Sequence, residues 1–118
     1  MVDDDGRIGR RLSKPDARHL LALWMRQASG FDPDLLTPDF TYDSALEKMD
    51  RDDYGLVHTY GGTWSSIQEV AIVEGEGGTA VVVEATDDVS LLRHRISWVV
   101  RYRGDRVFSI VATLCRTP

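Results

Sequence analysis

The hydrophobic pattern of this chain changes period once. Through the first half, apolar residues recur at helical spacing between capping and breaking signals; from Ile67 onward they alternate or run on in β-branched and aromatic stretches. Ala17, Leu20, Leu21, Trp24, Met25 and Ala28 fall on one helical face. Ser13 can cap them, Pro15 suits a first turn, Asp16 supplies a short acid for a capping box, and Gly30 ends the run, so a helix is predicted over 14–29. Asp32-Pro33 opens a second, short helix that Thr37-Pro38 breaks. Phe40–Asp43 reads as a short strand. Asp50 caps a third helix, with Asp52 and Asp53 where the helix dipole favours them, and Gly61-Gly62 stops it.

Four strands follow. Ile67–Glu74 ends in EGEGG, and Thr79–Thr86 ends at Asp87-Asp88. The last two, LLRHRISWVVRY and RVFSIVATL, flank Arg103-Gly104-Asp105-Arg106, a strong hairpin signal. The whole predicts an α+β domain: three N-terminal helices on a strongly bent antiparallel sheet of four to six strands. Residues 1–12 are polar and are expected to form a flexible arm ahead of a single domain over 13–118.

Strand alternation assigns the faces of the final hairpin. With a two-residue turn, Tyr102, Val100, Trp98 and Ile96 face Val107, Ser109, Val111 and Thr113. One face then carries His94, Ile96, Trp98, Val100 and Tyr102. The other carries Arg95, Val99 and Arg101 with Phe108, Ile110, Ala112 and Leu114. Both are apolar at mid-strand, so both need cover. The His94/Trp98 face mixes aromatic, aliphatic and hydrogen-bonding groups, as a pocket does. The other suits a homodimer interface through Val99, Phe108, Ile110 and Leu114, with arginines at its rim.

A length of 118 residues fits one domain, and the net charge of −5 argues against generic nucleic-acid binding. Arginines crowd the last hairpin, but without aromatic residues interleaved on their face they do not make an RNA platform. The single cysteine, Cys115, excludes an internal disulfide and a multi-cysteine metal site, and a cytoplasmic location is expected. The opening MVDDDGRIGRR has no apolar segment and is not expected to act as a secretory signal. No apolar run is long enough for a membrane span. Neither cofactor nor metal is expected: the histidines are scattered without ligand spacing. EGEGG lacks the lysine of a phosphate loop, and Arg103-Gly104-Asp105 is turn chemistry.

The order of elements, with ARHLLALWMRQA, LLTPDFTYD, DRDDYGLVHTY and HRISWVVRYRGDRVFSIVATL, resembles the nuclear transport factor 2-like superfamily over roughly residues 14 to 115, polyketide-cyclase-like members among it. The resemblance implies a cone: helices over one mouth of a bent sheet, enclosing an apolar cavity. Its members include ketosteroid isomerases, scytalone dehydratases, polyketide cyclases and limonene epoxide hydrolases, as well as proteins that only bind or assemble. Ketosteroid isomerases place a carboxylate after the first short strand, which falls here near Asp43 or Ser44, and a proton donor on the penultimate strand, which falls on Trp98. An indole N–H donates a hydrogen bond but does not exchange protons usefully. Asp43 and His94 are therefore the candidate acid–base residues. Tyr42, Tyr54, His58, Trp98 and Trp24 are the candidate ligand contacts. The epoxide hydrolases' Asp-Arg-Asp cluster is not matched, because Arg95 and Arg101 point away. Two functions follow as expectations: a dimeric binding or assembly module for a small apolar ligand, or an acid–base isomerase, cyclase or dehydratase acting on a small cyclic apolar metabolite.

Overall fold

The computed structural model describes residues 14–28, 30, 32–56 and 63–117. The expected N-terminal arm and the cap Ser13 lie outside the described residues. Helix α1, Lys14–Trp24, buries Ala17, Leu20, Leu21, Leu23 and Trp24. It ends earlier than the glycine signal predicts. Gln27 N–H donates to Ala22 O at 2.8 Å and Arg26 N–H to Leu23 O at 3.1 Å, with Arg26 left-handed at φ 61°. This Schellman closure satisfies the last carbonyls before Gly30 is reached.

The expected second helix is one 3-10 turn, Pro33–Leu35, held by the Asp32 carboxylate on Asp34 N–H at 2.9 Å. Leu36, expected to close that helix, and the expected breaker Thr37-Pro38 instead open strand β1, Leu36–Asp43. The short strand β2, Lys48–Met49, follows, and then α2, Arg51–Gly55. The capping box of α2 is reciprocal: Asp50 accepts from Asp53 N–H at 2.8 Å, and Asp53 accepts from Asp50 N–H at 3.4 Å. The described residues thus hold two α-helices, not three.

Strands β3 (Trp64–Glu74), β4 (Gly78–Asp87), β5 (Arg93–Arg103) and β6 (Arg106–Arg116) complete a curved six-stranded sheet in the order β2-β1-β6-β5-β4-β3. The sheet is mixed, because β1 pairs parallel with β6. An all-antiparallel sheet was expected from the hairpins; the chain between β1 and β6 is long enough to return β1 in the same direction as β6.

One bulge decides which residues face inward. Arg103 pairs with Arg106 and Tyr102 with Val107, as alternation predicts, but the register then slips and Arg101 pairs with Ser109. Phe108 is the extra residue. Beyond it, Trp98 faces Ala112 and Ile96 faces Leu114. The β5 faces stand as read, whereas those of β6 exchange: Ile110 and Ala112 are buried, Leu114 is half-buried, and Ser109, Val111 and Thr113 face outward. The displaced Phe108 ring lies under the guanidinium groups of Arg101 and Arg103, at 5.2 and 4.6 Å. Burying Ile110 in place of Val111 brings the larger aliphatic side chain out of water, which supplies the driving force for the slip.

Candidate functional site

The inner faces of β1, β5 and β6 meet α1 and α2 around a column of aromatic rings. Phe40 packs edge-on against Tyr54 at 5.6 Å. Tyr54 meets Tyr42 at 6.1 Å, Tyr42 meets Trp98 at 5.6 Å, and Trp98 meets Trp24 at 5.5 Å. Trp24 stacks on Trp64 at 5.6 Å, and Trp64 meets the edge of the His94 ring at 5.7 Å. Rings at these spacings gain contact energy beyond their buried area.

The column runs from a closed end to an open one. At the closed end Tyr54 is fully buried and its hydroxyl donates to Leu20 O, which ties α2 to α1. Burial holds its phenol well above the ordinary tyrosine pKa. At the centre, Tyr42 Oη and Trp98 Nε1 are both shielded from solvent and have no hydrogen-bond partner among the described residues. Burial pushes the Tyr42 phenol up to about 12; the nearby Ser44 hydroxyl opposes the shift, and the Glu47 and Asp43 carboxylates add to it.

At the open end lies a hollow of about 360 Å³, walled by Trp24, Trp64 and Leu114 and by the β1–β2 loop residues Ala45, Leu46 and Glu47, with Asp87, His94 and Arg116 at its edge. His94 and Arg116 are direct cross-strand partners, so both side chains leave the same face. His94 Nδ1 lies 3.2 Å from Leu92 O. A carbonyl can only accept, so Nδ1 is the donor in this contact.

The expected site residues separate into groups. Trp24 and His94 border the hollow; Tyr42, Tyr54 and Trp98 lie deeper in the ring column. Asp43 does not converge with His94. It alternates outward from Tyr42, is exposed, and pairs with Lys48 Nζ at 2.9 Å. His58 lies outside the described residues. Trp64, Leu114, Glu47 and Arg116 were not foreseen at the site. Trp64 follows the Gly61-Gly62 pair in sequence and precedes the expected start of its strand; a large aromatic at that place is a signal for an inward anchor. Leu114 and Arg116 were hidden by the bulge. Among the described residues no cluster of three or more His, Cys, Asp or Glu is placed to hold a metal, and no helix is long and apolar enough to cross a membrane.

No family model and no curated protein matches this chain. Solved structures do. A ketosteroid isomerase-like protein from Kribbella flavida superposes with a TM-score of 0.62 at 18% identity, over 88% of this chain and 81% of that one. An NTF2-like protein of unknown function from Burkholderia xenovorans gives 0.63 at 12% identity, over 89% and 87%. A de novo designed protein with a curved β-sheet gives 0.58 at 12% identity, over 88% of each chain. The protein has an NTF2-like fold. Identities this low carry the architecture and no chemistry.

Proposed function

We propose that this protein is a homodimeric binding module for a small apolar ligand seated at the open end of the ring column. The observation that carries the reading is the 360 Å³ hollow walled by Trp24, Trp64 and Leu114, a volume at the small end of ligand pockets with flat apolar walls and a few polar groups at its edge. The dimer forms through the outer sheet face, where Val73, Ala80, Val99 and Val111 run in one cross-strand row. A neutral fused-ring probe, 1-naphthaleneacetamide, tests the site by calorimetry. Saturable binding is expected, weakened about tenfold in Trp64→Ala through loss of the stacking face. Leu114→Trp, which fills the hollow, should abolish it while the melting temperature is held. Absence of saturable binding, or indifference to Leu114→Trp, would refute the reading.

The second reading, an acid–base enzyme acting on a cyclic apolar metabolite, is favoured by one observation: His94, a side chain suited to proton transfer, borders the hollow. Asp43 cannot be its partner from the outer face. On this reading Glu47, which shares the hollow, supplies the carboxylate. His94→Gln would then abolish turnover without changing affinity for the naphthyl probe. Equal turnover in the variant would exclude His94 as the base.

A further inference from the structure

We propose that the ligand of this hollow is a small planar molecule bearing a single carboxylate, received by Arg116, with a hydrogen-bond donor at its opposite end. The inference rests on the binding reading above and adds the ligand's polarity. Arg18, Arg93, Arg95 and Arg103 each meet a carboxylate, from Glu69, Glu84, Glu84 and Asp39 respectively. Arg116 meets none among the described residues, although it borders the hollow. Its guanidinium offers a planar fork of donors and no acceptor, which suits a carboxylate held in two places. His94, directly across the ladder, stands beside Arg116 at the same end of the hollow.

Two carboxylates also face the hollow, and they shape the ligand in different ways. Asp87 is committed to its own turn, accepting from Val89 N–H at 2.8 Å. Glu47 lies in the β1–β2 loop and forms no ion pair among the described residues. It repels a second anionic group and accepts a donor, which limits the ligand to one carboxylate and orients it. Trp24, Trp64 and Leu114 supply apolar lining for the body of the ligand.

Three matched probes separate the possibilities: 1-naphthaleneacetate, its neutral amide and 1-naphthylmethylamine, titrated against the full chain by calorimetry. The acid should bind roughly fivefold tighter than the amide, the size of one partly exposed ion pair, and the amine weakest. Arg116→Gln should bring the acid-to-amide ratio to about one, and Arg116→Lys should restore part of it. High salt should compress the ratio in the same way by screening the ion pair. An amine that binds tightest, or a ratio indifferent to Arg116→Gln, overturns the proposal. Equal saturable binding of acid and amide overturns it while the binding reading stands. If none of the three binds, both fall.

Discussion

Tyr42 and Tyr54 touch in the same ring column, yet their hydroxyls are treated differently. Tyr54 donates to Leu20 O, while Tyr42 is buried without a partner among the described residues. A buried hydroxyl that has given up water for a neighbour outside hydrogen-bonding geometry, as Tyr42 has with Ser44, costs free energy, whereas a satisfied one contributes. Tyr42→Phe is therefore expected to leave stability unchanged or raise it by up to about 1 kcal/mol, and Tyr54→Phe to lower it by about 1–2 kcal/mol, read from urea melts at neutral pH. The same two phenols set the alkaline limit. Both pKa values are raised by folding, to about 12 for Tyr42, so the folded state holds protons that the unfolded chain releases from about 10 upward. Their contribution is complete below pH 10 and falls as pH climbs through 12, with a slope of up to about 1.4 kcal/mol per pH unit for each tyrosine. Urea midpoints between pH 9 and 11.5 should show the fall, and Tyr42→Phe should flatten it. A profile identical in that variant would mean that Tyr42 ionises freely in the fold.

At the scale of elements, local chemistry decides where helices and turns stop. The caps at Asp50 and Asp32 are written in adjacent residues and form as read, although Asp53 also closes a reciprocal box and Asp32 opens a 3-10 turn in place of the expected helix. Strain appears where the chain uses a side chain in a glycine conformation. Leu91, three-quarters exposed, sits at φ 62° in the turn that returns β4 to β5, its N–H donating to Asp87 O at 2.7 Å. A left-handed backbone costs a branched residue about 1 kcal/mol that glycine does not pay. Leu91→Gly is expected to raise stability by somewhat less than this, because glycine also loosens the unfolded chain, and to raise the thermal midpoint by a few degrees. A lower midpoint would show that the Leu91 side chain contributes more than its exposure implies.

For the whole molecule, the sheet is the organising object. Its inner face is closed by α1, α2 and the ring column; its outer face presents Val99 and Val111, each about two-fifths exposed, between the Glu84–Arg95 pair and the Arg103–Asp39 pair. An apolar centre with paired charges at its ends suits self-association about a two-fold axis. If the outer face is the dimer surface, Val99→Glu with Val111→Glu should give a folded monomer by light scattering and retain the circular dichroism of the parent. An unchanged molecular mass in the double variant would remove this face from the assembly. Ile110, which alternation placed on this surface, is fully buried; Ile110→Glu would unfold the protein and report on the core, not on the dimer.

Several features were determined by the sequence alone because each depends on near neighbours: the face of α1 that carries Trp24, the caps at Asp32 and Asp50, the Gly104 turn, and the β5 alternation that turns Trp98 inward. The overall curved-sheet class was legible for the same reason, since period and turn spacing are local. The parallel return of β1 onto β6 was not legible, because strand pairing across more than sixty residues is chosen by the packed whole. The bulge at Phe108 was equally hidden. Both possible registers of β6 place apolar residues at mid-strand, and only the competition to bury Ile110, Ala112 and Leu114 under the helices selects one. That single-residue slip brings Leu114 and Arg116 to the hollow beside His94, while outward alternation on β1 carries Asp43 away from it. The candidate site was therefore decided by tertiary structure: its walls come from four strands, a helix end and a loop, and no local pattern records which of them converge.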